Sequence, residues 1–430
     1  MRMPVLFTAM ACVMACAPAV AAQARGHGPT DAAMDAILTH GESHPLAAIA
    51  AVRMHEGRIA YSYYGGFARR TEHGEVGDVP AGPDTLFRIA SISKLVTTIG
   101  LMELVEQGRI SLDGDISDYL GFRVRNPDFP DAPITVRMLL NHTSTLADAN
   151  GYTLPPDHKV AELFGPDRKP GDAGYHFAHG AGHRPGTWFE YSNLGFGLIG
   201  TIIERVSGER FDRYQQAHVL TPLGIDGGYN VTELRHPERL ATLYTDSSTG
   251  YAAQVDTLPP RGWPAQLVSR YTVGSNGTIF SPQGGLRVSI AGLARLARFM
   301  QQGGTLEGTR LLSARSIHLM ETPTWQYDGH DGSCPYPIAS YGLGMIQLTG
   351  GKDPDGRPTA PYRGYHGHLR GHLGDAYGLH SGFWYDTANG DAFVFAADGY
   401  PDDDSATPGA YSSFTRVEEQ IFTTLAGAAR

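Results

Sequence analysis

The chain is poor in lysine, cysteine and charge. Only four lysines, Lys94, Lys159, Lys169 and Lys352, occur in 430 residues. Charged residues make up 18% and sum to a formal net charge of -10, which excludes the basic surface that nucleic acid or an anionic membrane would require. The three cysteines, Cys12, Cys16 and Cys334, exclude a disulfide scaffold. The G-x-S-x-G elbow of the α/β-hydrolases is absent, as are tandem repeats and low-complexity blocks. The longest apolar run, Val5 to Ala15, is too short to remain as a membrane span.

What is present begins with that run. Arg2 precedes it, Pro18 ends it, and the small residues A-V-A-A-Q-A follow, which predicts a secretory leader over 1–24 cut after Ala22 or Ala24. A periplasmic or secreted protein is the expectation. The alternative is a lipoprotein anchored at Cys16, from V-M-A-C. With the leader removed, Cys334 is left without a partner, and a lone cysteine makes a poor nucleophile candidate.

Hydrophobic residues at 41% suffice for a sizeable core, while Gly 54 and Pro 28 imply many turns and long loops. Two apolar runs from Ala47 to Phe67, around His55-Glu56-Gly57-Arg58, predict a hairpin. Helices are predicted from Ser91 to Gln107 with Gly108 as stop, from Val136 to Asn141 with Thr135 as cap, from Leu194 to Val206 before Gly208, and from Ile290 to Gln302. Thr145 to Gly186, rich in Pro, Gly, Asp and His, predicts a long surface loop. Near the C-terminus Y-G-L-G-M-I-Q-L, L-H-S-G-F-W-Y and D-A-F-V-F-A predict strands, the last two joined by a turn at Asn389-Gly390. The expected fold class is α+β (an α/β sandwich). One antiparallel sheet is built from both chain ends, approximately 31–110 and 285–430, around an inserted mainly helical domain over 111–284, with the site in the cleft between them.

Chemistry starts at Ser91-Ile92-Ser93-Lys94. A serine hydroxyl needs a base within hydrogen-bond reach, and positions i and i+3 of a helix share a face. Lys94 is the one lysine with a serine three residues before it. A helix start also offers unpaired N–H groups to a developing oxyanion. A capping serine followed by a chance lysine would read the same way, so this pattern alone leaves both open.

F-R-I-A-S-I-S-K resembles the first motif of the serine β-lactamase and penicillin-binding-protein superfamily, in its class C-like branch. R-P-G-T-W-F-E-Y-S-N-L-G resembles the second motif, at Tyr191 and Asn193, and G-H-L-G-D-A-Y-G-L-H-S-G the third, at His372, Leu373 and Gly374. L-L-N-H-T-S and S-P-Q-G-G-L-R-V-S are similar to supporting segments of the branch, and the order from about Asp84 to the C-terminus is the expected one. The resemblance implies that Ser91 is acylated and that Lys94 and Tyr191 move its proton. It further implies that Asn193 holds Lys94 and the substrate, and that His372 faces the leaving-group side. The N–H groups of Ser91 and Asp375, beside Gly374, would form the oxyanion hole. His142 is expected to position a loop. No cofactor is expected, and the partner is a small-molecule or peptide substrate.

Two departures bear on specificity. Histidine stands at 372 where β-lactamases of this branch carry lysine, so recognition of a substrate carboxylate should weaken. This favours a peptidase, amidase or esterase, with a β-lactamase as the alternative. Thr145 stands where H-T-S-G has glycine. A reading from another class, a zinc hydrolase, would use His176, His179 and His183 or His366 and His368. These lack an H-E-x-x-H helix and are expected to be exposed, solvated rings. A noncatalytic sensor would be expected to lose Ser91, Lys94 or Tyr191, and all three are present.

Overall fold

Apolar residues on both sides of Glu56-Gly57 fold back on each other as strands β1 (Ala48–His55) and β2 (Arg58–Arg69). Both turn residues have positive φ, 48° and 72°, which gives the tight turn whose twist matches the strands it joins. The computed structural model describes residues 28–70, 78–165, 169–172, 174–247, 250–254, 269–333, 337–348, 350–353, 355–401 and 407–428. The expected leader with Ala22 and Ala24, its alternative anchor Cys16, and Cys334 lie outside the described residues.

The hairpin extends into a nine-stranded antiparallel sheet. Its other members are β3 (Val79–Pro80), β4 (Trp325–Gln326), β5 (Ser340–Tyr341), β6 (Ile346–Leu348), β7 (Leu369–Ala376), β8 (Leu379–Tyr385) and β9 (Asp391–Asp398), in the order 4-5-6-7-8-9-1-2-3. The two chain ends meet where β1 pairs with β9, Ala48 opposite Asp398 through to His55 opposite Asp391. The sheet is thus assembled from both ends of the chain, as expected. β1 and β9 are almost continuously apolar because both of their faces are covered.

Alternation sorts the side chains into two cores. Ala48, Ala50, Val52 and Phe383 face helices α2 (Ser93–Glu106) and α5 (Ile290–Gln301). Ile49, Ala51, Trp384 and Phe395 face α1 (Pro29–His40) and α6 (Arg416–Gly427). α2 is buried on every side, the setting in which a helix carries apolar residues all round. α3 (Val136–Leu140) starts where Thr135 Oγ1 accepts from Met138 N–H, and α4 (Asn193–Ser207) ends at Gly208 with φ 81°. No helix among the described residues is long and apolar enough to cross a membrane.

The stretch from Thr145 to Gly186 departs from the expected surface loop. Its described residues are irregular, apart from a short 3-10 turn at Val160–Leu163, but they are sewn inward. Leu146 bridges to Phe177, Tyr175 and Phe177 are buried, and Ala178 N–H donates to the Thr145 carbonyl at 2.7 Å. His176, read as a solvated ring, is 2% exposed. The apolar residues scattered through this polar segment are too far apart for either periodic pattern, which is why its burial was hidden.

Trp384 is wholly buried and stacks edge-on against Phe414. Trp384→Ala is expected to cost about 3–5 kcal/mol. The check is the midpoint of urea unfolding; an unmoved midpoint would show that the α1/α6 layer repacks freely.

Candidate active site

Three segments converge on Ser91. The first is its own turn: Ala90–Ile92 form a 3-10 turn rather than the start of the predicted helix, and α2 begins at Ser93. Ala90 holds φ 48°, a left-handed conformation that an alanine adopts only against steric cost. The turn is fixed by Ser93 Oγ, which donates to the Ala90 carbonyl at 2.6 Å and accepts from Leu286 N–H at 3.0 Å. Leu286 belongs to the S-P-Q-G-G-L segment, so that segment straps the nucleophile turn onto α2.

Lys94 lies one turn along, with 0% exposure. Its Nζ donates to Ser91 Oγ at 3.0 Å, to Asn193 Oδ1 at 2.8 Å and to the Gln283 carbonyl at 3.1 Å, and sits 4.7 Å from the centre of the Tyr191 ring. Burial disfavours the ammonium and brings its pKa down to about 7, while the Asp148 charge works in the opposite direction. The second segment supplies Tyr191 and Asn193. Ser192, not Asn193, caps α4: its Oγ accepts from Gly195 N–H at 3.1 Å. The Tyr191 phenol shares the cavity with Ser91, and burial holds its pKa above the ordinary phenol value, so it keeps its proton at neutral pH.

The third segment is β7. Strand β6 pairs with it only as far as Gly371, so residues 372–376 have no strand partner on that side among the described residues. This open edge faces the nucleophile turn. A side chain on Gly374 would stand 2.2 Å from the Ile89 carbonyl and 2.3 Å from Ser381 Oγ, so only glycine lets the strand and the turn close together. Ser91, Tyr191, Asn193, His372, Gly374 and Asp375 line one cavity of about 460 Å³. The site residues read from the sequence thus share one place. As the second residue of its turn, Ser91 has an N–H with no intrahelical acceptor, as the oxyanion role requires.

His372 lines the cavity, but its ring is tied into the protein. It is 1% exposed and both nitrogens are engaged, Nε2 with the Tyr341 hydroxyl at 2.9 Å and Nδ1 with the Leu373 carbonyl at 2.5 Å. The carbonyl can only accept, so Nδ1 carries the proton and Nε2 accepts from Tyr341. Burial first and the Lys94 charge second push its pKa down to about 3. His372 therefore offers no positive charge to a substrate. His142 does position its loop: its Nδ1 accepts from Ser192 N–H at 3.1 Å, and its ring lies 4.3 Å from Tyr191. Burial and the neighbouring Lys94 and His372 keep it neutral, well below the usual histidine range. Thr145 adopts φ 65° at the glycine position, with its hydroxyl accepting from Asn126 Nδ2 at 3.0 Å.

Sequence reasoning missed Asp148, whose carboxylate accepts from Ser192 Oγ, Asn193 N–H and Leu194 N–H. It also missed Arg357, Phe414 and Glu418, which reach the same cavity from distant parts of the chain. An acid a few residues beyond H-T-S was the one available signal. The histidines form no metal centre among the described residues: His179 pairs with Asp128 at 2.6 Å and His183 stacks on Trp188 at 3.8 Å.

A family model described as Beta-lactamase matches residues 33–413. Penicillin-binding protein 4* of Bacillus subtilis (strain 168) is 30% identical over 189 residues, 43% of this chain and 38% of that protein. Esterase EstB of Burkholderia gladioli is 32% identical over 229 residues, 50% of this chain and 54% of that protein. The chain thus spans about half or less of the length of these curated relatives. The solved D-amino acid amidase of Ochrobactrum anthropi SV3, complexed with D-phenylalanine, superposes with a TM-score of 0.62 at 20% identity, covering 93% of this chain and 99% of that one. The octameric penicillin-binding protein homologue of Pyrococcus abyssi gives 0.62 at 21%, covering 89% and 74%. These two likenesses establish the fold.

The two neutral histidines make stability depend on acid. Their folded pKa values are depressed, so unfolding takes up protons below the free value of about 6.5, and stability present above it falls as pH drops toward 3. His372→Gln is expected to flatten the decline of the urea midpoint between about pH 6 and 4; an unchanged slope would remove His372 from it. His372→Lys should destabilise, by leaving an ammonium buried and the Tyr341 hydroxyl without an acceptor.

Proposed function

The chain belongs to the Beta-lactamase family, and from that premise we propose a serine hydrolase of the class C-like branch that forms an acyl-enzyme at Ser91 on ester and amide bonds. The observation that carries the reading is the fully buried Lys94, 3.0 Å from Ser91 Oγ, with its pKa brought into the neutral range. Near pH 7 a large fraction of Lys94 is neutral and able to accept the serine proton. Oγ then attacks the substrate carbonyl, and the oxyanion meets the N–H groups of Ser91 and Asp375 at the cavity wall. The Tyr191 phenol, protonated and in contact with Ser91, delivers a proton to the leaving alcohol or amine, and Lys94 restores it. Water repeats the sequence on the acyl-enzyme and releases the acid.

Substrate preference follows from charge. A neutral, fully bonded His372 gives no cation to a carboxylate beside the scissile bond and leaves Arg357 as the arginine at the cavity wall, so neutral esters or amides should be better substrates than β-lactams. The relative named Esterase EstB supports the ester side of this choice. We place the protein outside the cytoplasm, on the strength of the apolar run from Val5 to Ala15 and the small residues after it.

A fluorophosphonate probe is expected to label one peptide, the one containing Ser91, and Ser91→Ala should abolish both labelling and hydrolysis of an aryl ester. Lys94→Ala and Tyr191→Phe should fold and lose about 10²–10⁴-fold in kcat. Labelling elsewhere overturns the nucleophile. Prolonged dialysis against a strong chelator should leave turnover unchanged; loss of activity restored by zinc would return the histidine segment to consideration.

A further inference from the structure

We propose that Asp148 is the positioning residue of this site: it clamps the Tyr191-Ser192-Asn193 turn and supplies the negative charge against which Lys94 holds its proton. The inference rests on the roles of Ser91 and Lys94 proposed above and concerns a residue outside all three motifs.

The clamp is explicit. Asp148 Oδ2 accepts from Asn193 N–H at 2.7 Å, and Oδ1 accepts from Leu194 N–H at 3.0 Å and Ser192 Oγ at 3.1 Å. Ser192 already caps α4 in the ordinary way, so the carboxylate adds a second cap from a loop 45 residues upstream. Asn193 is the link to the chemistry: its N–H goes to Asp148, while its Oδ1 accepts from Lys94 Nζ at 2.8 Å. A shift of Asp148 would therefore move the group that holds the lysine.

The charge is available as well. No lysine, arginine or histidine makes an ion pair with Asp148 among the described residues, so no contacting cation cancels it. The groups facing Lys94 are otherwise uncharged at neutral pH: His142 from the end of α3, His372 from β7, and the Tyr191 phenol, on which the Asp375 charge acts. Asp148 is the charge that opposes burial at Lys94. A cap that only stabilised α4 would leave the protonation of Lys94 untouched; this one should set it.

The sign of the test follows. Without the Asp148 charge the ammonium is less favoured, the pKa of Lys94 falls, and the acid limb of kcat/KM moves to lower pH. The full chain, with a neutral aryl ester, is assayed between about pH 5 and 9. In Asp148→Asn the midpoint should fall by on the order of one pH unit, and the plateau should drop by about ten- to a hundredfold as the turn loosens. Asp148→Glu should bring the midpoint back toward wild type. Ser192→Ala, which removes a donor to the clamp but keeps the charge, should leave the midpoint in place whatever its plateau. If the Asn variant does not fold, Asp148→Ser must give the same downward shift. A folded, uncharged variant with an unmoved midpoint overturns the proposal. Fluorophosphonate labelling separates the two failures: labelled Ser91 with an unmoved midpoint removes only the role of Asp148, whereas wild type unlabelled at Ser91 removes the reading beneath it.

Discussion

An ammonium group without contact with solvent is costly unless its hydrogen atoms are all placed. Lys94 meets that condition with three acceptors from three separated parts of the chain: a serine on its own turn, an asparagine side chain at the head of α4, and a backbone carbonyl in the strap before α5. Each acceptor must be carried to the same point by its own scaffold, and much of the architecture is that carriage. The strap hydrogen-bonds back to Ser93, the head of α4 is held by His142 and Asp148, and α2 is packed on every face so that Lys94 cannot reach water. The same enclosure that makes the ammonium expensive brings the lysine into the range where it can work as a base.

The sheet contributes by stopping short. Were β6 as long as β7, its backbone would occupy the edge from His372 to Ala376. Because it ends opposite Gly371, that edge stands open beside the nucleophile, and Gly374 allows the approach. His372 and Tyr341 then act as a bolt between β7 and β5: the hydroxyl and the imidazole satisfy each other in a place where neither could be left unpaired.

Features that depend on neighbouring residues were legible in the sequence. The hairpin at Glu56-Gly57, the cap at Thr135 and the stop at Gly208 are written in turn and cap chemistry that operates over a few positions. Ser91, Lys94, Tyr191 and Asn193 were legible through ordered motifs, and they do meet. The helix start was misplaced by two residues, because the left-handed turn at Ala90 is imposed by the strap and β7, not by local propensity. His372 was found and its weak charge expected, but its partner Tyr341 lies 31 residues away, so its loss of free nitrogens could not be read. Asp148 and the burial of His176 were hidden for the same reason: their partners are set by the folded path of an irregular segment.

Ala90 has a consequence for how the nucleophile is held. At φ 48° a glycine would be easier to accommodate, yet a glycine would also let the turn sample the opposite hand. The methyl group makes the conformation costly, so the surroundings, not the residue itself, hold the turn at this φ. The chain thus keeps a small store of strain one peptide bond before the reacting atom, and the hydrogen bonds of Ser93 to the Ala90 carbonyl and the Leu286 N–H are the latch that contains it.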